Sequence, residues 1–143
     1  MSLRDGVRNV VVFAGLAMLV SPVGVLLYTA VTALLGQTAI VEYARLLGTL
    51  YTVFVLAGAG IGTYVFVDSG YSARALVEFV LAFILLSPVA SVVFAALESA
   101  VGEPLGPALR VVRLFGTFLV MYVGAYYLSY RDEWLLRLVS KMR

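Results

Sequence analysis

The sequence predicts an all-α membrane protein with four transmembrane helices, arranged as a tandem duplication of a two-helix hairpin. Its 143 residues are 63% hydrophobic and 13% charged, with a mean hydropathy of +1.05, whereas soluble domains are about half apolar and a quarter charged. The lipid bilayer accepts so apolar a chain when helices satisfy its backbone polar groups. We therefore expect a single membrane domain over residues 1–143.

Four apolar stretches predict the four helices. They cover Val10–Leu35, Leu46–Val67, Ala75–Leu97 and Val111–Tyr130. Each has the roughly 20 residues that a helix needs to cross the hydrocarbon core, and none shows the period-two alternation of a barrel strand. The connections carry glycine, proline and charged residues and are short, which favours antiparallel neighbours.

Basic residues near the ends of these stretches predict the orientation. One side has seven: Arg4, Arg8, Arg74, Arg131, Arg137, Lys141 and Arg143. The other side has three: Arg45, Arg110 and Arg113. Since cytoplasmic loops carry the excess of Lys and Arg, we predict a multi-pass protein of the cell membrane with both termini cytoplasmic.

The two halves of the chain align with each other at an offset of 66. Nine identities fall in the 29 positions from Arg8 to Gly36, including Ser21-Pro22-Val23 on Ser87-Pro88-Val89. After a two-residue insertion the offset becomes 68, which matches Arg45-Leu46 with Arg113-Leu114 and Gly48-Thr49 with Gly116-Thr117. Self-similarity at a fixed period indicates a repeat.

The predicted repeats span residues 8–67 and 74–130. Because each holds two helices, the copies enter the membrane in the same direction and are related by a pseudo-twofold axis along the membrane normal. The first apolar stretch aligns with an internal one, so we interpret it as a retained helix and not as a signal peptide.

Pro22 and Pro88 lie near the centres of their helices, where each removes a backbone hydrogen bond and favours a kink. We favour a role in packing. The alternative is that carbonyls freed beside Ser21 and Ser87 line a pathway for an ion or water.

Gly58 and Gly62 form a GxxxG pair, which lets two membrane helices approach closely. The sequence leaves undecided which helix contacts this pair: the first helix, the fourth helix or a helix of another protomer. The surrounding glycine-rich run does not have the spacing of a dinucleotide-binding loop.

An outer charged cluster is predicted at the non-cytoplasmic ends of the helices. It contains Glu42, Arg45, Glu98 and Arg113. We favour anchoring of helix ends by arginines that reach the interface. The alternative is a vestibule that selects anions or lipid head groups.

Residues 131–143 are predicted to form a short amphipathic cytoplasmic tail. Apolar residues recur at helical spacing among basic ones, as in helices that lie on a membrane surface. The chain has aromatic residues just before this tail, at Tyr126, Tyr127 and Tyr130, which is typical of a membrane interface.

The chain has no cysteine and no histidine, and no ionisable residue falls near the centre of a predicted span. We therefore predict no enzymatic activity, no metal site and no cofactor. A net charge of +2 with dispersed basic residues argues against a nucleic-acid partner.

Two functional hypotheses remain. The first is a structural, assembly or accessory-subunit role, as a homo-oligomer or within a larger membrane complex. The alternative is a passive channel or facilitator for ions or small solutes, with a path along the pseudo-twofold axis or between protomers. Its lining would include Ser21, Ser87, Ser91, Thr49 and Thr117.

Overall fold

The computed structural model describes residues 2–102, 106–131 and 140–142, and within these residues the chain is helical without strands. Four helices are long and apolar enough to cross a membrane. We call them α1 (Leu3–Gly36), α2 (Ile40–Asp68), α3 (Ala73–Val101) and α4 (Pro107–Tyr126). The prediction of a membrane protein with four spanning helices is confirmed at this level.

The helices extend beyond the apolar stretches, because polar residues continue or cap them. Helix α1 starts at Leu3 and not at Val10, since Ser2 and Asp5 form a capping box in which each side chain bonds the backbone N–H of the other. Arg74, which precedes the apolar stretch that begins at Ala75, lies in the first turn of α3. Hydropathy finds the membrane core of a helix and not its ends.

Glycines in the left-handed region separate the helices. Gly36 has φ 78° and ψ 169°, the one non-helical conformation found between Leu3 and Asp68, and it divides α1 from α2. Gly70 follows α2 with φ 70°, and Gly102 ends α3 with φ 71° while its N–H bonds the Glu98 carbonyl. Glycine adopts this conformation without the strain that other residues meet there.

The prolines do not interrupt the helices. Backbone angles stay helical through Pro22 in α1 and Pro88 in α3. Their surroundings differ, since Pro22 is buried and Pro88 is exposed. Two further prolines belong to the connection that the sequence predicts before α4, where Pro107 takes the first helical position that suits its fixed φ.

A π-helical turn, Tyr127–Arg131, follows α4 and packs against α3. Such turns are rare in proteins and bend the path of a helix. The predicted amphipathic tail, residues 131–143, lies almost entirely outside the described residues.

The chain forms two compact units. The first comprises Met1–Tyr71 with Leu105–Phe115, and the second comprises Ser72–Pro104 with Gly116–Arg143. The first unit therefore holds α1 and α2, whereas the second holds α3 and the part of α4 that begins at Gly116. We call these two sets of helices the first pair and the second pair.

Candidate functional site

The first pair packs through the glycines of α2. A Cβ atom at Gly58 would lie 2.9 Å from Val20 Cγ1, and one at Gly62 would lie 3.2 Å from Leu16 Cδ1. Real Cβ atoms are rarely so close to a neighbour, so the two helices meet at a distance that only glycine permits. Of the three partners left open by the sequence, the structure places α1 against this GxxxG pair.

A polar contact also joins these two helices. The hydroxyls of Ser21 and Tyr51 are 2.6 Å apart and form a hydrogen bond. The Tyr51 ring lies over Gly24, where a Cβ atom would come within 2.8 Å of Cε2. In the alternative to a packing role, Ser21 lies beside a pathway for an ion or water, whereas here its hydroxyl is bonded within the pair. Neither Tyr51 nor Gly24 belongs to a recognisable motif in the sequence.

Beyond Tyr51 the first pair encloses an open groove of about 420 Å³. Its lining is almost wholly apolar, apart from the hydroxyls of two tyrosines. The lining residues are Gly24, Leu27, Tyr28, Val31, Leu47, Leu50, Tyr51, Val53 and Phe54. Its volume lies in the range of sites that hold small molecules.

The second pair also packs through glycines, and these lie on α4. A Cβ atom at Gly124 would lie 2.7 Å from Leu86 Cδ1, and one at Gly116 would lie 3.0 Å from Phe94 Cζ. Sequence reasoning did not single out either glycine as a packing residue.

Aromatic contact replaces the serine–tyrosine bond in the second pair. The rings of Phe83 and Tyr122 have centroids 4.7 Å apart and planes inclined by 48°. Ser87 and Pro88, the residues matched with Ser21 and Pro22, are half-buried and exposed respectively. The two serines are equally half-buried, whereas the prolines differ, since Pro22 is buried.

The glycine contacts in the two pairs have the same register. Adding 66 to both members of the Val20/Gly58 contact gives the Leu86/Gly124 contact. The neighbours Ala59 and Ala125 are also 66 residues apart, and each is fully buried. The sequence alignment places the second helix of each pair at an offset of 68. That offset matches Gly58 with Tyr126, which is 63% exposed.

A buried carboxylate lies at the start of α3. Glu78 is 7% exposed and accepts a hydrogen bond of 3.0 Å from Arg74 Nε. Arg74 itself is largely exposed. The two residues are four positions apart on α3 and pair locally, as such residues often do. Ser129 in the π turn is also buried, and its hydroxyl has no partner within the described part of the chain.

Of the four residues of the predicted outer charged cluster, Glu42, Arg45 and Arg113 belong to the first unit and Glu98 belongs to the second. Glu42 and Arg45 are exposed on α2, whereas Glu98 and Arg113 are half-buried and each engages in a polar interaction. A joint cluster of the four stays a prediction.

The site chemistry is that of helix packing. Among the described residues no group of three or more Asp and Glu side chains is placed to hold a metal ion. Several hydroxyls bond backbone carbonyls one turn earlier, among them Thr29, Thr49, Thr52, Thr63 and Ser99. Such bonds satisfy polar groups inside an apolar span.

Comparison with known proteins adds no relative. No protein-family model matches the chain, and no curated protein or solved structure matches it significantly.

Proposed function

We propose that this chain is a small polytopic membrane protein with a structural, assembly or accessory-subunit role. The proposal rests on one observation: within the described residues, most of the surface of α2 is left uncovered. Only 6% of the most apolar window of α2 is buried, compared with 22% for α3. A helix so little covered has an area free for other membrane helices.

The exposed surface of α2 has the chemistry that membrane helices use to associate. Small exposed residues lie there at Ala44, Gly48 and Thr52, four residues apart, and again at Gly60, eight residues after Thr52. A Cβ atom at Gly48 or Gly60 would meet nothing within 4 Å, unlike one at Gly58. Small residues let a second backbone approach closely, since lipid provides no hydrophobic drive for association. A homo-oligomer or a larger membrane complex would use this surface.

Tandem duplication of the helix pair forms part of the proposal. The shared register of Val20/Gly58 and Leu86/Gly124 supports it, beside the identities in the first helix of each pair. In the proposed arrangement the repeats are parallel, with a pseudo-twofold axis along the membrane normal, both termini in the cytoplasm and an amphipathic tail at the inner surface of the cell membrane.

The channel hypothesis has less support. Two of the five hydroxyls expected to line a path are engaged: Ser21 bonds Tyr51, and Thr49 donates to the Arg45 carbonyl. Hydroxyls committed to the protein are less free to replace the hydration shell of a permeating ion.

The association is tested on the full chain in its membrane. The protein is extracted in a mild detergent after chemical cross-linking, and the mass of the particle is measured. We expect a mass above that of one 15.4 kDa chain, from further copies or from other membrane proteins. A single chain with no partner would contradict the proposal.

Two variants locate the contact. Gly60→Leu adds a side chain to the exposed surface of α2 and should lower the associated fraction. Ala14→Leu makes a comparable change at an exposed site of α1 and should leave association unchanged. Equal behaviour of the two variants would exclude this surface of α2. Liposomes with purified protein should show no solute flux, and flux would favour the channel hypothesis.

A further inference from the structure

One face of α2 combines two charged residues with small and apolar ones. Its residues follow each other at steps of three and four, which keeps them on one side of a helix. All of them are exposed: Glu42, Arg45, Thr49, Thr52, Leu56 and Gly60. We call this set the open face of α2.

The open face points away from α1. Gly58 of α2 packs against Val20 of α1, and Leu56 and Gly60 are each two residues from Gly58. Two residues advance a helix by a little more than half a turn, so Leu56 and Gly60 lie on the side of α2 opposite to that contact. Packing within the first pair therefore leaves the open face available.

Two charges on the open face lack partners. Neither Glu42 nor Arg45 forms an ion pair within the described residues. The threonines differ, since Thr49 and Thr52 each donate a hydrogen bond of 2.9 Å to a carbonyl of their own helix. Both charges lie within five residues of Ile40, where α2 begins, and so near the end of the span. A partner that complements this face has a negative and a positive charge at that depth.

A second copy of the chain meets this requirement. Copies inserted in the same direction place one α2 parallel to the other, with identical residues at the same depth. Glu42 and Arg45 are three residues apart, which is about 60° short of a full turn and about 4.5 Å in height. They therefore lie on either side of the centre of the face. Across two parallel helices such flanking positions face each other, as the e and g positions of a coiled coil do.

We propose that α2 joins two copies of this chain in a parallel twofold dimer through its open face, with Glu42 of each subunit paired with Arg45 of the partner subunit. A twofold contact is self-complementary, so the ion pair occurs twice. Thr49, Thr52 and Gly60 let the two backbones approach closely. This inference rests on the proposed association of α2 and names its partner.

Self-association is measured with the purified full chain in liposomes. The chain has no cysteine, so Met142→Cys, at a residue that is 76% exposed, allows one batch to carry a donor fluorophore and another an acceptor. We expect energy transfer that rises linearly with the acceptor fraction, as in a dimer, and that unlabelled chain abolishes.

Charge reversal tests the ion pairs. Glu42→Arg alone and Arg45→Glu alone should each weaken the dimer roughly tenfold, because symmetry turns two attractive pairs into two repulsive ones. The double variant Glu42→Arg/Arg45→Glu should recover association. A mixture of the two single variants should also recover it, since each chain then supplies the charge that the other lacks. Arg110→Glu, at an exposed site of α4, is the control and should leave the dimer intact.

Three results would overturn the proposal. The first is no energy transfer in the purified original chain; a particle larger than one chain from native membranes would then assign α2 to a different protein and leave the proposed function standing. The second is loss of association in the single variants without recovery in the double variant or the mixture. The third is equal weakening by Arg110→Glu and Arg45→Glu.

Discussion

The two helix pairs bury different side chains at matched positions. The two buried residues differ most in polarity four residues after an arginine that both pairs share. Arg8 precedes Val12 in the first pair, and Val12 is fully buried. The matching Arg74 precedes Glu78, which is buried almost as completely and bonded to that arginine. One buried position thus holds an apolar side chain in one pair and an ion pair in the other.

Deeper in the helices the pairs differ again. The first pair has the Ser21–Tyr51 hydrogen bond, whereas the second has the Phe83–Tyr122 ring contact. What they share is a branched side chain against a glycine at matched positions, Val20 on Gly58 and Leu86 on Gly124. The two pairs therefore share one glycine contact at matched positions, while the remaining contacts differ.

The largest effect is expected from filling a glycine contact. Gly124→Ile would place Cβ 2.7 Å from Leu86 Cδ1, and overpacking of this kind costs about 1–3 kcal/mol. Unfolding of the purified protein in mixed detergent micelles measures the loss.

Two controls accompany that variant. Gly6→Ile adds the same side chain where nothing lies within 4 Å, and it should change stability little. In a Leu86→Ala background, Gly124→Ile should cost less than in the original chain. Equal losses of stability for Gly6→Ile and Gly124→Ile would show that the close approach at Gly124 does not cause the loss.

A smaller and asymmetric effect is expected at the buried carboxylate. Arg74→Gln leaves Glu78 without its charged partner and should lower stability by about 1 kcal/mol, a modest value because Arg74 is exposed to solvent. Glu78→Val copies the first pair and should be neutral or stabilising, as apolar replacement of a buried ion pair often is. A larger loss for Glu78→Val than for Arg74→Gln in the same unfolding assay would contradict this account.

The smallest effect is expected for the hydroxyl pair. Tyr51→Phe should lower stability by about 0.6 kcal/mol, the average for hydrogen bonds between membrane helices. A double-mutant cycle with Ser21→Ala isolates the interaction. Tyr28→Phe is the control, because Tyr28 lines the same groove and its hydroxyl has no hydrogen-bond partner among the described residues. A coupling energy of zero would show that the Ser21–Tyr51 hydrogen bond does not stabilise the first pair.

Composition and hydropathy were sufficient to predict four spanning helices, because an apolar run of about 20 residues has the length that a helix needs to cross the bilayer. They could not predict the packing faces. Gly58 and Gly62 stood out as GxxxG, whereas Gly116 and Gly124 are eight residues apart and show no short motif.

The register was obscured by the alignment. Identities after the first loop favoured an offset of 68, which hid the match of Gly58-Ala59 with Gly124-Ala125 at 66. Burial of Glu78 was also beyond the sequence, since a carboxylate four residues from an arginine is equally typical of an exposed helix end. The groove depends on the ring of Tyr51, whose direction no pattern of residues indicates.

The shared register is tested most directly by disulfide formation, for which the chain is ready because it has no cysteine. Val20→Cys with Gly58→Cys, and Leu86→Cys with Gly124→Cys, should each form a bond rapidly under mild oxidation in membranes. Leu86→Cys with Tyr126→Cys represents the register of the two-residue insertion and should react slowly, since residues 124 and 126 face different sides of α4. Rapid bonding of the 86/126 pair with none at 86/124 would contradict the common register of the two helix pairs.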